Sequence, residues 1–296
     1  QAKVEILAEG ALAHGRLEVA VGGRHEAHVG RDIGRAADAA GLDTVWVADH
    51  LLQADPTHSR QDPILEAYTT LGYLAAQTSR VHLGTMVTAV TYRPAALLLK
   101  AVTTLDVLSD GRAWLGIGAG YHQGEADALG LPLPPTPERF ARLEETLHLA
   151  LQMWRDDPTP FHGEVLHLEQ PIGHPLPVSR PRPRILIGGA GEQRTLPLVA
   201  RYADACNLFD IPDGGVTVRR KLEILRRNCE EIGRPWEDID KSIATRLGPD
   251  ESVGTLVERC RAFGDLGLDH VVFLHPDTWT PADVARLGDA AAQLAA

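Results

Sequence analysis

Apolar residues along the chain keep two spacings in turn. Short unbroken runs, the length of strands buried on both faces, alternate with longer stretches whose apolar residues recur every three or four positions, as on one helix face. Near the N-terminus both Val4 to Ala8 and Leu17 to Val21 have strand character, and Val4 to Ala8 is read as the first strand. A helix from Arg24 to Ala40, stopped by Gly41, leads to a strand from Thr44 to Ala48 that closes on Asp49-His50. The pattern then predicts helix from about Pro63 to Gln77, strand from Val81 to about Val90, helix from Ala95 to Leu108 and strand from Ala113 to Ile117.

Thr136-Pro137 supplies an N-cap followed by proline at the first helical position, and Phe140, Leu143, Leu147, Ala150 and Trp154 then line one face of a long helix. Residues 158 to 183 contain seven prolines and a weak hairpin signal at Glu164 to Leu168, so about 156 to 183 is read as an irregular insertion. Alternation resumes with strand Ile185 to Ile187 and a helix carrying Leu196, Val199, Ala200 and Ala203. Strands follow at Ala205 to Phe209, Ser242 to Arg246 and His270 to Leu274, between helices that end at Ile232, span Ser252 to Leu266 and start at Thr280-Pro281. Eight strands, each with its helix, predict an α/β chain folded as one (β/α)8 TIM barrel over residues 1 to 296, with the insertion before strand five. A doubly wound sheet fits less well, because Gly116-Ile-Gly118-Ala-Gly120 lacks the third glycine of a dinucleotide fingerprint.

Composition narrows the chemistry. A formal charge of −11 disfavours a nucleic-acid partner, whose phosphates would be repelled. No apolar run approaches the ~20 residues of a membrane span, so the expected setting is the cytoplasm and the expected partner a small molecule. Cys206, Cys229 and Cys260 are odd in number and scattered, which suggests neither a disulfide framework nor a zinc site. His25-Glu26-Ala27-His28 is one residue short of the zinc spacing, and no metal is expected. A serine-hydrolase elbow and a phosphate P-loop are both missing.

Barrel ligands lie beyond the C-terminal ends of the strands, so the residues there are the candidates. They are Asp49 and His50, Met86 to Thr91, Gly118 to His122, Gly188 to Glu192, Asn207 to Asp210, Arg246 and His275. Gly188, Gly189 and Gly191 form a strand–turn–helix junction that either serves as a tight turn only or lets bare backbone N–H groups meet a phosphate. His50 is the candidate for proton transfer, with a purely structural histidine as the alternative.

Six segments together resemble the luciferase-like flavin and deazaflavin oxidoreductases, in particular the branch that uses coenzyme F420. They are Gly41 to His50, Thr78 to Thr88, Gly111 to Gly120, Thr136 to Phe140, Ile185 to Glu192 and Tyr202 to Asn207, and they run in the family's order. The resemblance implies an F420-dependent oxidoreductase that moves a hydride between the deazaflavin C5 and a small organic substrate, by reduction of a C=C, C=N or C=O bond. An FMN-dependent monooxygenase and a non-catalytic flavin-binding protein are the alternatives. It further implies a homodimer, and a coenzyme held by Asp49, by Met86, Val87 and Thr88 with a non-proline cis peptide, and by Gly118, Ala119 and Gly120. Gly188, Gly189, Ala190, Gly191 and Glu192 would hold its phosphate. His50 and Tyr121 are then the catalytic candidates, and Arg246 and His275 shape the substrate end. Tyr121 stands where some F420-dependent dehydrogenases carry a glutamate, and a phenol is a poor base near neutral pH, which weakens any expectation of sugar-phosphate oxidation.

Overall fold

The structure is a computed structural model that describes residues 16–21, 27–55 and 58–296. Its framework is a ring of parallel strands: β1 (Arg16–Val21), β2 (Thr44–Val47), β3 (His82–Thr85), β4 (Thr88–Ala89), β5 (Trp114–Gly118), β8 (Arg184–Gly188), β9 (Ala205–Phe209), β10 (Asp240–Arg246) and β11 (His270–Leu274). Hydrogen bonding runs in the order β3-β2-β1-β11-β10-β9-β8-β5-β4. β3 and β4 are two halves of one strand interrupted at the cis peptide Met86-Val87, and a parallel bridge from Leu83 to Ala113 joins the two ends of the sheet. Counted so, the ring is the eight-stranded barrel the alternation predicts.

The first strand departs from expectation. Arg16–Val21 pairs with β11 through Leu17 opposite Val271 and with β2 through Val19 opposite Val45, which closes the ring. Val4 to Ala8 lies outside the described residues, as do His25 and Glu26. The two segments have the same apolar character, and only the position of β11 decides between them.

Helices α1 (Ala27–Ala40), α2 (Ala67–Ala75), α3 (Ala95–Leu108), α5 (Thr136–Trp154), α6 (Thr195–Tyr202), α7 (Val216–Ile232), α8 (Val253–Asp265) and α9 (Pro281–Ala295) cover the outside. α5 follows its predicted face: Leu143, Leu147 and Ala150 are fully buried against Leu115, Ile185 and Ile187, so Leu147→Ala would cost about 2–5 kcal/mol. α9 begins at a complete capping box between Thr280 and Asp283. One element was not expected, and the weak hairpin signal at Glu164 to Leu168 is borne out as a short antiparallel pair. The seven-residue helix α4 (Gln123–Leu129) occupies part of what reads as loop, and the proline-rich insertion holds the antiparallel pair β6 (Phe161–His162) and β7 (His167–Leu168). Glu145 of α5 anchors that hairpin by accepting the amides of Glu164, Val165 and Leu166.

Strand side chains alternate between the helices and the barrel axis. Ala20, Trp46, Trp114, Leu186, Ala205, Ala244 and Val272 fill the axis, with the two indoles edge to face at 5.6 Å. Below them, at the N-terminal ends, the barrel is closed by charge: Glu18 accepts from Trp46 Nε1 at 2.7 Å and contacts His270 Nδ1 at 2.9 Å. His270 Nε2 lies 3.4 Å from Asp240, which is also paired with Arg184 at 2.8 Å. A floor built this way leaves ligand access at the opposite, C-terminal mouth. No helix among the described residues is long and apolar enough to cross a membrane.

Candidate active site

A cavity of about 670 Å³ opens at the C-terminal ends of the strands, a size that holds a tricyclic ring and a small second molecule. Asp49, His50, Met86, Val87, Gly118, Ala119, Gly120, Tyr121, Gly188, Gly189, Arg246 and His275 all line it. The alternation of strand side chains and the short strand-end loops bring these sequence-distant residues together. Thr88, Ala190, Gly191 and Glu192 do not line it. Thr88 is buried in the wall, its hydroxyl 2.9 Å from that of Tyr68 and 3.0 Å from that of Thr85. Glu192 turns outward to Arg220 at 2.9 Å and Lys221 at 2.7 Å on α7.

His50 is held from behind. Its Nδ1 lies 2.7 Å from Oε2 of Glu125, a carboxylate that is 1% exposed and belongs to α4. The other oxygen of Glu125 accepts the backbone amides of Leu51 and Leu52, and Tyr92 donates its hydroxyl to Oε2. Burial works against the charge on Glu125, but the bonds from Tyr92, His50, Leu52 and Leu51 outweigh it and hold the carboxyl below its usual range. Tyr92 is pushed well above the usual phenol range by burial, by its bond to Glu125 and by that residue's charge. An acceptor-only carboxylate facing Nδ1 makes that nitrogen the donor, and Nε2 is left for exchange with whatever occupies the cavity.

Asp49, 1% exposed, is gripped by the guanidinium of Arg93 at 2.6 and 3.0 Å. Arg93 also reaches Glu66 at 2.5 Å and lies 4.8 Å from the ring centre of Tyr68. Desolvation disfavours the guanidinium charge, yet the two carboxylates raise its affinity for the proton. Burial and the charge of Asp49 together push the Tyr68 phenol up to about 12. Asp49 is therefore a fixed, compensated charge in the wall, suited to positioning rather than to proton transfer.

The side of the cavity formed by the turn after β8 is bare backbone. A Cβ on Gly188 would sit 2.8 Å from both γ-carbons of Val87, so only glycine lets β8 approach the interrupted strand this closely. Gly189, at φ +102°, adopts a conformation that side chains rarely tolerate, and only Thr195 lies within 4 Å of its missing Cβ. Tyr121 stands at the rim, 72% exposed and edge-on to His50 at 6.0 Å between ring centres. Sequence reasoning missed Glu125, Tyr92 and Arg93. The signal for Glu125 was present, since His122 caps α4 and Glu125 falls at the third position after it, the spacing of a helix start.

The family model for luciferase-like monooxygenases matches residues 10–265. The chain belongs to that luciferase-like family. The F420-dependent glucose-6-phosphate dehydrogenase of Kineococcus radiotolerans is 33% identical over 269 residues, covering 87% of this chain and 74% of that protein. The enzyme of the same name from Amycolatopsis mediterranei is 30% identical, with coverage of 78% and 68%. An F420-dependent secondary alcohol dehydrogenase solved with an F420–acetone adduct superposes with a TM-score of 0.81 over 95% of this chain and 99% of that one, at 15% identity. EDTA monooxygenase from Chelativorans superposes at 0.79 over 94% and 93%, at 12% identity. At such identities the structural likenesses establish the fold alone. The resemblance read from the six segments is thus borne out, including the cis Met86-Val87 peptide.

Proposed function

We propose that the protein is an F420-dependent oxidoreductase that exchanges a hydride between the coenzyme and a small organic substrate. The observation that carries this reading is the buried Glu125 seated on His50 at the mouth of the cavity, which makes His50 a directed proton carrier. The names of the curated relatives, which are F420-dependent dehydrogenases, support the coenzyme.

When bound, the deazaflavin supplies the hydride chemistry at its C5. The residues fit such a group: Met86 and Val87 offer an apolar ledge in the wall, and Gly188 and Gly189 offer unscreened backbone for a phosphate. Glu125 takes the Nδ1 proton of His50 as a hydrogen bond and fixes the ring, so proton exchange with a substrate oxygen or nitrogen passes through Nε2. Tyr92 and the amides of Leu51 and Leu52 keep Glu125 in place. Asp49, locked by Arg93, would be one of the fixed wall residues that hold the coenzyme. Tyr121 stands at the rim beside His50, where a substrate would meet it. A cytoplasmic location and a homodimer are further parts of this proposal.

The test is a pair of fluorescence titrations with F420 and with FMN. Micromolar or tighter binding of F420, with FMN at least about tenfold weaker, is expected, a gap of about 1.4 kcal/mol or more. The opposite preference would replace hydride transfer by the oxygen chemistry of a monooxygenase.

A further inference from the structure

Among the described residues, the substrate end of the cavity has no uncompensated lysine or arginine. Among the described residues that line it, Arg246 at the end of β10 is the only lysine or arginine, and its guanidinium is bonded to Asp55 Oδ2 at 2.9 Å. That pair spans 191 positions and ties β10 to the loop that follows β2. Asp277 adds a further carboxylate to the same wall. Of the neighbouring histidines, His58 has its Nδ1 3.9 Å from Asp55 itself, Nδ1 of His122 accepts the amide of Glu125 at 2.9 Å, and Nδ1 of His275 accepts that of Asp277 at 3.0 Å. In His122 and His275 this leaves Nε2 as the ring's donor, and that of His275 lies 3.6 Å from Asp283. Beside them two aromatic rings are left open to water, Tyr121 at 72% and Phe209 at 60% exposure.

Side chains recognise a phosphate with forked or clustered cations, and among the described lining residues the one guanidinium, 53% exposed, already gives one nitrogen to a carboxylate. An apolar surface left wet at the lip of a cavity gains by covering with an apolar group. We infer that Asp55 is a specificity-determining residue: by neutralising Arg246 it excludes phosphorylated substrates and restricts the enzyme to uncharged ketones and secondary alcohols whose apolar part lies on Tyr121 and Phe209. The inference rests on the hydride-transfer reading for the reaction, though not for the exclusion of phosphate. In the reducing direction the carbonyl carbon gains the hydride as a new C–H bond and the C=O π pair passes to oxygen. His50 would give that oxygen a proton from Nε2, and the hydride would come from the C5–H bond of the reduced deazaflavin, which is oxidised as the substrate is reduced. The specificity therefore differs from the one in the relatives' names.

The test has a cofactor-free arm. Inorganic phosphate and glucose 6-phosphate are titrated into the wild type, Asp55→Asn and Asp55→Asn/Arg246→Gln by calorimetry and thermal shift. Freed of its partner, Arg246 should bind phosphate at least about tenfold more tightly in Asp55→Asn than in the wild type, and the double variant should lose the gain. Submillimolar binding of glucose 6-phosphate by the wild type, or no gain in a folded Asp55→Asn, overturns the proposal. In the second arm, protein already loaded with F420 is offered glucose 6-phosphate, 2-propanol and cyclohexanol. Faster oxidation of the sugar phosphate overturns the substrate class and leaves hydride transfer standing. If F420 does not bind, hydride transfer itself falls and the ketone and alcohol assignment with it, while the first arm still decides whether Asp55 excludes phosphate.

Discussion

Nδ1 of His50 and Oε2 of Glu125 stand 2.7 Å apart across a sequence gap of 75 residues, one on the loop after β2 and the other on α4. His50 is partly open to the cavity while Glu125 is buried, so the pair has a working end and an anchored end. A carboxylate behind a histidine fixes both the tautomer and the ring plane. Glu125→Gln keeps the shape but can offer an N–H where an acceptor is needed. It should lower kcat by about 10²- to 10⁴-fold while the affinity for F420 changes by less than about threefold. Stopped-flow reduction and a fluorescence titration on the same variant check both halves. An unchanged kcat at saturating coenzyme would remove the pair from the mechanism.

The Asp49–Arg93 pair should behave differently, because it is wall rather than catalyst. Arg93→Met leaves a buried carboxylate without its bidentate partner, which should cost about 3–5 kcal/mol in urea unfolding. Removing the charge as well, in Asp49→Asn/Arg93→Met, should recover part of that loss, and a double-mutant cycle isolates the coupling. Simple additivity of the two single losses would mean that the pair contributes no specific interaction.

The barrel was legible in the chain because buried parallel strands are short apolar runs and their covering helices have a different period. Ala205–Phe209 and His270–Leu274 lie where the runs place them, as does α3. β1 was not decided, because two apolar runs compete near the N-terminus and register with β11 is a tertiary fact. The site was legible only as a set of strand ends. Gly188 and Gly189 reach the cavity by their place in the turn, whereas the chain passes outward at Ala190 and Glu192 finds Lys221 instead. The spacing after His122 marks Glu125 as the start of a helix but not as the partner of His50, and the partners of Arg93 and Asp55 likewise lie dozens of positions away.

Gly189→Asp tests the bare-backbone cradle. The residue's φ of +102° makes any side chain strained, by an amount on the order of 1–3 kcal/mol, and the new carboxylate would face a phosphate. Binding of F420 should weaken by about 10-fold or more, with Gly189→Ala losing less because it adds no charge. Equal affinities in wild type and Gly189→Asp would place the phosphate elsewhere.

Finally, the charged floor predicts a pH dependence that is independent of the active site. Burial alone would discharge His270, but the charge of Glu18 and the hydrogen bonds to Asp240 and Glu18 outweigh it and raise the imidazole to about 10. Asp240, facing His270 and Arg184, is held well below its usual range against the cost of its own burial. For a group whose affinity for the proton is raised on folding, the stabilisation is complete below the unfolded value of about 6.5 and fades as pH rises through about 10. For the carboxylate the sign reverses: its contribution is present above its ordinary value and lost only in strong acid. His270→Gln should therefore destabilise the protein by about 3 kcal/mol near pH 6 and by much less above pH 10. Urea titrations of both proteins across that range measure the difference directly. A difference that stays constant from pH 6 to above pH 10 would mean that His270 stabilises the floor by packing, with no contribution from its charge.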